Sequence, residues 1–396
     1  MNSPALPLPE VTPSVVPAAS VHETLAFELG WDHAHYGIAP ALPQSYESAS
    51  LCAGLVAGRE SVRRRPLAAS RPVQLWLQLR LQAWCLGNNV EPVQVTPRFL
   101  EQLEVSHCPV TRAPLDSQRC GAAVIARLRN DAAYAAGNLA MLSAKAERAS
   151  AAVSRTQALE LAAEAGGRGT GGGLSGLTAE QWARVATLAS FVESMAHEQA
   201  CALPLLVLPP NRLRLFNPAQ ALQAFISRQL LAPGWSLRMS RIEALLPANE
   251  AQRSLQTFFH ALLPRVLEAG RDLAAHEQRW AVEDAWRQPL VQQRWWAFAH
   301  QLSAAQCEAL VVRAHAKRLG QGLLRALNDR AAVDGWNLEQ QERLAGAPSV
   351  QRAPTRRVTS SERRWPVLPA AQQASRQAVL PLQRAATPGL LCNRTS

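Results

Sequence analysis

The run Gly166–Gly176, GGRGTGGGLSG, most limits what this chain of 396 residues can fold into. Glycine at that density leaves the backbone too free to hold a helix or a strand, so the run reads as a flexible linker. A phosphate-binding loop is the competing reading. It fails because the run lacks a Gly-Lys-Ser/Thr ending and no strand pattern precedes it. The expectation is therefore a folded part over residues 21–165, a linker over 166–177 and a second folded part over 178–347. A Pro-rich leader over 1–20 and a basic tail over 348–396 are expected to be disordered, since neither offers enough apolar surface to bury.

Both folded parts read as helical. In Pro72–Leu86, Val73, Trp76, Leu77, Arg80 and Trp84 recur at helical spacing. Thr96-Pro97 is an N-cap followed by proline at the first helical position, which opens a short helix to about Glu104. An Ala-rich helical run is expected from Asn138 to about Ala165, after a turn-rich segment over Ser106–Ala133. Beyond the linker, Thr178 with Gln181 and Ser303 with Gln306 form capping boxes. Further helices are expected near 218–231, 238–246, 250–269, 271–288, 290–302 and 303–328, with Leu205–Leu215 extended between them.

Charge restricts the partners only mildly. The formal net charge is +11, which invites an anionic partner such as DNA or RNA. Yet Lys145 and Lys317 are the only lysines, so Arg usage looks like the codon bias of a GC-rich genome, and much of the excess lies in the tail. Arg63, Arg64 and Arg65 form one compact basic cluster, and Arg212 and Arg214 project from a turn after Pro209-Pro210. Each reads either as a solvated loop or as a phosphate contact. Seven scattered cysteines without a C-x-x-C pair read as reduced thiols. No apolar run reaches the roughly 18 residues that cross a bilayer, so no membrane association is expected. The first twenty residues lack the basic start of a secretory signal, and the expected location is the cytoplasm.

One segment carries more. Cys108–Ala149 reads CPVTRAPLDSQRCGAAVIARLRNDAAYAAGNLAMLSAKAERA. Cys108, Pro109, Val110 and Leu115 stand in a turn, Arg127 and Leu128 on a strand, Tyr134, Gly137, Asn138 and Leu139 at a helix entrance, and Ser143 and Ala146 in the helix. In this order they resemble the core of HNH-type endonucleases, over roughly a tenth of the chain. The resemblance implies a ββα unit within 106–149, in which a strand acid and a helix residue hold one Mg²⁺ or Mn²⁺ beside a scissile phosphate.

The departures fall on the chemistry. Ala126 stands where the family has the Asp of its Asp-Arg pair, Glu147 where the helix should offer Asn, and Ala149 where Lys should follow. Alanine neither binds a metal nor takes a proton, and one carboxylate makes a weak site. His107, Asp116 and Asp131 are the remaining candidate substitutes should Glu147 still act. Scaffold positions survive better: Cys108 in the turn, Tyr134 as a packed aromatic, Gly137 for backbone freedom and Asn138 as the helix-entrance cap.

Other constellations are weaker. His197-Glu198 and His276-Glu277 begin like zinc-protease helices but have Cys201 and Trp280 where the second His should stand. Trp280, Trp286, Trp295, Trp296 and Phe298 crowd one stretch. They read as core first, then as a protein interface or a base-stacking surface. The sequence thus leads to a mainly α-helical protein with a degenerate ββα unit. It is expected to be a nuclease-derived, catalytically inactive nucleic-acid-binding protein, with Arg63, Arg64, Arg65, Arg127, Arg212 and Arg214 as its phosphate contacts. An active metal-dependent endonuclease and a helical interaction scaffold that binds no nucleic acid stand as alternatives.

Overall fold

A computed structural model of the protein describes residues 21–42, 48–62, 65–115, 123–167, 176–246, 249–268, 273–319 and Trp336. The leader, most of the glycine run, the tail, Arg63, Arg64, Asp116 and Cys120 lie outside the described residues. The protein is mainly α-helical: among the described residues there are fourteen helices and one two-stranded sheet.

At the amino end, α1 (Val21–His35) and α2 (Ala49–Ser61) form a hairpin that leans on α3 (Arg71–Cys85). Glycine sets how closely α1 and α2 approach. A Cβ on Gly30 would fall 2.1 Å from the Leu51 carbonyl oxygen, and one on Gly54 would fall 2.0 Å from that of Phe27. Beneath the hairpin, Ala26, Leu29, Leu51, Leu81, Trp84 and Cys85 make a small core of their own. Thr96 caps α4 (Pro97–Gln102), its hydroxyl accepting the Phe99 N–H, as the sequence led one to expect.

The sheet follows: β1 (Ala123–Arg127) and β2 (Leu139–Ser143) pair antiparallel, Ala123 facing Ser143 and Arg127 facing Leu139. Ser143 ends β2 and caps α5 (Ala144–Ser150), so the order is β, β, α without a break. This corrects the expected helical run from Asn138. Leu139–Ser143 has strong intrinsic helix formers, but pairing with β1 and burial of every β2 residue override that preference. The remainder of the run is α6 (Arg155–Gly167), separated from α5 by a turn.

α6 packs on α7 (Ala179–Phe191) across the glycine run, and α7 starts at the Thr178–Gln181 capping box. The buried helix α9 (Pro218–Leu230) packs against α8 (His197–Ala202), α10 (Trp235–Glu243) and α14 (Ala304–Ala316), while α11 (Asn249–Glu268) packs on α12 (Ala275–Ala285) and α13 (Pro289–Ala299). One core runs from Leu79 through the sheet to the carboxyl-terminal helices and Trp336. Trp286 and Trp295 lie wholly inside it, edge to face at 5.3 Å, whereas Trp296 is 46% exposed. No described helix is long and apolar enough to cross a membrane.

Candidate functional site

The ββα unit gathers most of the residues that the sequence singles out. Its eleven-residue connection, 128–138, is closed from inside by Asn138, which is fully buried. The Asn138 Oδ1 accepts the Arg129 N–H at 2.8 Å, and its Nδ2 donates to the carbonyls of Arg129 and Ala133, each at 3.1 Å. Asn138 therefore leads into β2 and ties the connection shut; it does not cap a helix, as the sequence suggested. Gly137 has φ +91°, and a Cβ there would lie 2.2 Å from Cγ of Arg214. Only glycine serves, because its backbone is left-handed and the Arg214 stem lies across it while the Arg214 N–H donates to the Gly137 carbonyl at 3.1 Å.

Within the connection, Tyr134 bridges to Val90, its N–H donating to the Asn89 carbonyl and its own carbonyl accepting from Glu91. The Arg127 guanidinium sits 4.7 Å from the Tyr134 ring centroid and donates to the Ala132 carbonyl at 2.9 Å and to Asn88 Oδ1 at 3.3 Å. Burial pushes the Tyr134 phenol up, against the pull of Arg127. Glu147 lies half-buried in the first turn of α5 and makes no ion pair among the described residues. Burial raises its carboxyl above the usual range, opposed by Arg148 and Arg127. Arg127 is thus held by internal partners, with Glu147 close enough to interact with it electrostatically.

The other acids and bases are elsewhere. Asp131 is exposed and takes a bidentate bond from Arg129, at 2.9 Å and 3.0 Å. His107 stacks on His276 with centroids 4.0 Å apart and meets Trp280 edge-on, which joins the Cys108 turn to α12. Ala126, on β1 beside Arg127, offers no donor atom. Among the described residues no group of three or more His, Cys, Asp or Glu side chains is placed to hold a metal ion. Among the described residues, the half-buried carboxylate of Glu147, with alanine at position 126, does not fit the divalent ion that the HNH resemblance implies.

The basic residues separate by role. Arg212 is exposed at φ +61° and makes no ion pair among the described residues, and Arg65 is exposed. Arg214 is half-buried and donates to Gln94 Oε1 at 3.0 Å.

Sequence reasoning missed the charged seam beneath the Cys108 turn. Arg112, at φ +58°, forms two bonds to Asp284, at 2.7 Å and 2.8 Å, and sits 5.3 Å from the Trp280 ring. Glu283, 2% exposed, accepts the Leu208 N–H at 2.8 Å and Arg279 Nε at 3.0 Å. Arg184 donates to the Val110 carbonyl at 3.1 Å. Trp336 was missed as well. Its indole donates to the Ala136 carbonyl at 3.1 Å, and its own carbonyl accepts the Ala133 N–H at 2.9 Å. Apart from Arg279 and Glu283, four residues apart on α12, the partners lie about 70 to 200 residues apart in sequence, and a single chain carries no signal for such pairings. No family model, no curated protein and no solved structure matches this chain.

Proposed function

We propose that this is a nuclease-derived protein of the HNH type that associates with DNA or RNA without cleaving it. The observation that carries the reading is the ββα unit itself. Strand, strand and helix follow one another directly, with Asn138 and Gly137 fixing the connection, while Ala126 occupies the strand position where a metal-binding acid is required. Without that acid neither the ion nor the attacking water is positioned, and what remains is a scaffold. Of the arginines that the sequence singles out and the structure describes, Arg212 and Arg65 are exposed and can meet phosphates, whereas Arg127 and Arg214 have partners within the fold. Electrostatic association of this kind needs no sequence readout and weakens steeply with salt. The reading takes the protein to be cytoplasmic.

The test is binding and cleavage of duplex DNA, single-stranded DNA and RNA by the full chain, at two salt concentrations, with and without Mg²⁺ or Mn²⁺. Salt-sensitive binding with no cleavage is the expected result. Arg212→Ala should lower the slope of log affinity against log salt by about 0.9 for one lost duplex phosphate contact. Metal-dependent nicking that Glu147→Ala abolishes would overturn the inactive reading in favour of a rebuilt nuclease. No binding, or binding indifferent to salt, would overturn the nucleic-acid reading and leave a helical interaction scaffold.

A further inference from the structure

Trp336 is bound in a way that sets it apart from the other fully buried tryptophans. Trp182 and Trp295 lie within helices and Trp286 ends one, so each is carried into the core by a packed element. Trp336 belongs to none of the described helices or strands, yet its exposure is zero. Its hydrogen bonds go to main-chain atoms of the β1–β2 connection. The indole N–H donates to the Ala136 carbonyl at 3.1 Å, and the Trp336 carbonyl accepts the Ala133 N–H at 2.9 Å. Its ring leans on that of Phe216, with centroids 5.4 Å apart.

The connection offers Trp336 an edge. Neighbouring residues of an extended chain turn their backbone groups to opposite sides. Tyr134 uses one side, donating to the Asn89 carbonyl at 2.9 Å and accepting the Glu91 N–H at 3.0 Å. The Ala133 N–H is bonded to Trp336 instead. The carbonyls around it have partners nearby: Asn138 Nδ2 for Ala133, the Asn138 N–H for Ala135 and the Arg214 N–H for Gly137, each at 3.1 Å. The Ala133 N–H and the Ala136 carbonyl are left to Trp336, and buried backbone groups of this kind need a partner. Main-chain bonds along an edge, with a ring seated beside them, are also the means by which an extended peptide is recognised.

We propose that this edge of the connection, together with Phe216, is a peptide socket, and that Trp336 occupies it as an intramolecular ligand that docks and releases while the rest of the fold stays formed. The contacts read one indole and one backbone carbonyl. The partner that fits is therefore an extended segment bearing a tryptophan, and in this protein it is the chain's own carboxyl-terminal segment. Docking also sets where the basic tail begins. Residues 348–396, with eight Arg and one Glu, start twelve residues beyond Trp336. Even a fully extended chain covers only about 40 Å in that length. The socket goes beyond the proposed function and stands whether or not the protein binds nucleic acid.

Two measurements on the full chain test it. In the first, amide exchange is read residue by residue at the adjacent Ala133 and Tyr134 N–H groups, one bonded to Trp336 and the other to Asn89. Release of Trp336 alone should leave Ala133 at least about tenfold less protected than Tyr134. Equal or greater protection at Ala133 would mean that Trp336 parts only with the fold around it, and overturns the proposal. In the second, a fluorescently labelled peptide of residues 330–342 is titrated into the unaltered chain and into Trp336→Ala. The variant, its socket emptied, should bind the peptide at least about tenfold more tightly than the unaltered chain does, and at least about tenfold more tightly than it binds a peptide with alanine at position 336. Equal binding by the two chains, indifference to the peptide's tryptophan, or no binding by the folded variant overturns the proposal. So does a variant that fails to fold, because Trp336 would then be a core residue that the fold cannot release.

Discussion

Asn138 holds Arg129 by both of its backbone groups, accepting the N–H at 2.8 Å and donating to the carbonyl at 3.1 Å. One side chain thus mimics the backbone of a neighbouring strand, and it closes the β1–β2 connection where no strand runs. A third bond, to the Ala133 carbonyl, ties the far side of the loop. Because Asn138 is wholly buried, water cannot take over when the amide is removed.

Asn138→Ala should therefore destabilise the protein by roughly 2 to 4 kcal/mol, read as a lower urea midpoint at unchanged m-value. Asn138→Asp keeps the bond to the Arg129 N–H but turns a carboxylate toward two carbonyls. It should be worse than alanine at neutral pH and recover part of the loss in acid, near and below the usual Asp pKa of about 3.9. An aspartate variant as stable as the parent at pH 7 would count against the assignment of the amide's two ends.

Glu147 makes the opposite kind of prediction. Burial raises its carboxyl pKa in the folded state above the ordinary 4.5, so the folded chain binds the proton more tightly than the unfolded one. The favourable contribution of the protonated form is complete below pH 4.5 and is lost as pH rises through the folded value. At neutral pH the ionised carboxylate is a burden, and Glu147→Gln should raise the urea midpoint. The gain should close on titration below pH 4.5. A glutamine variant less stable than the parent at pH 7 would mean that Arg127 or Arg148 pairs with the carboxylate in solution.

The sequence and the structure agree where the determinants are local. Thr96, Thr178 and Ser303 each bond the N–H three residues on, and each was readable because an N-cap and its partner lie within one turn. Trp286 and Trp295 are core residues, as their crowding with other aromatic side chains in one stretch suggests. Asn138 was misplaced because Leu139–Ser143 has the composition of a helix, and only pairing with Ala123–Arg127 makes it a strand. The Thr111–Ser143 contact joins residues 32 apart, and the Arg112–Asp284 bonds join residues 172 apart. Both depend on the tertiary fold. The close approach of α1 and α2 did leave a trace, Gly54 and Gly58 four residues apart, which helix periodicity alone passes over.

Glu283 tests the seam beneath the Cys108 turn. It is a carboxylate with almost no exposure, bonded to the Leu208 N–H and to Arg279, with Arg112 at 3.5 Å. Removing one partner from such a site leaves buried positive charge and a bare N–H. Glu283→Ala should accordingly cost about 3 to 5 kcal/mol. Glu283→Gln preserves the shape and the bond to Leu208 and should cost less. If alanine and glutamine lose the same amount, the carboxylate's charge accounts for the whole loss; a glutamine variant as stable as the parent would mean that the charge contributes nothing and that packing and the bond to Leu208 decide the site.

Gly54 tests whether the amino-terminal hairpin is a separable unit. A methyl group there would stand 2.0 Å from the Phe27 carbonyl oxygen, against rigid helix backbone, so the helices must part. Overpacking of this kind typically costs about 1 to 3 kcal/mol, and here it cannot be relieved by a side-chain rotation. The hairpin rests on its own small core of Ala26, Leu29, Leu51, Leu81, Trp84 and Cys85, while the main core begins on the other face of α3 at Leu79 and Ala83. The damage should therefore stay local. In Gly54→Ala, amide exchange should accelerate through α1 and α2, with protection in α9 and β2 retained. Loss of protection in α9 to the same degree would mean that the two cores unfold as one, and that the hairpin belongs to the cooperative unit of the whole protein.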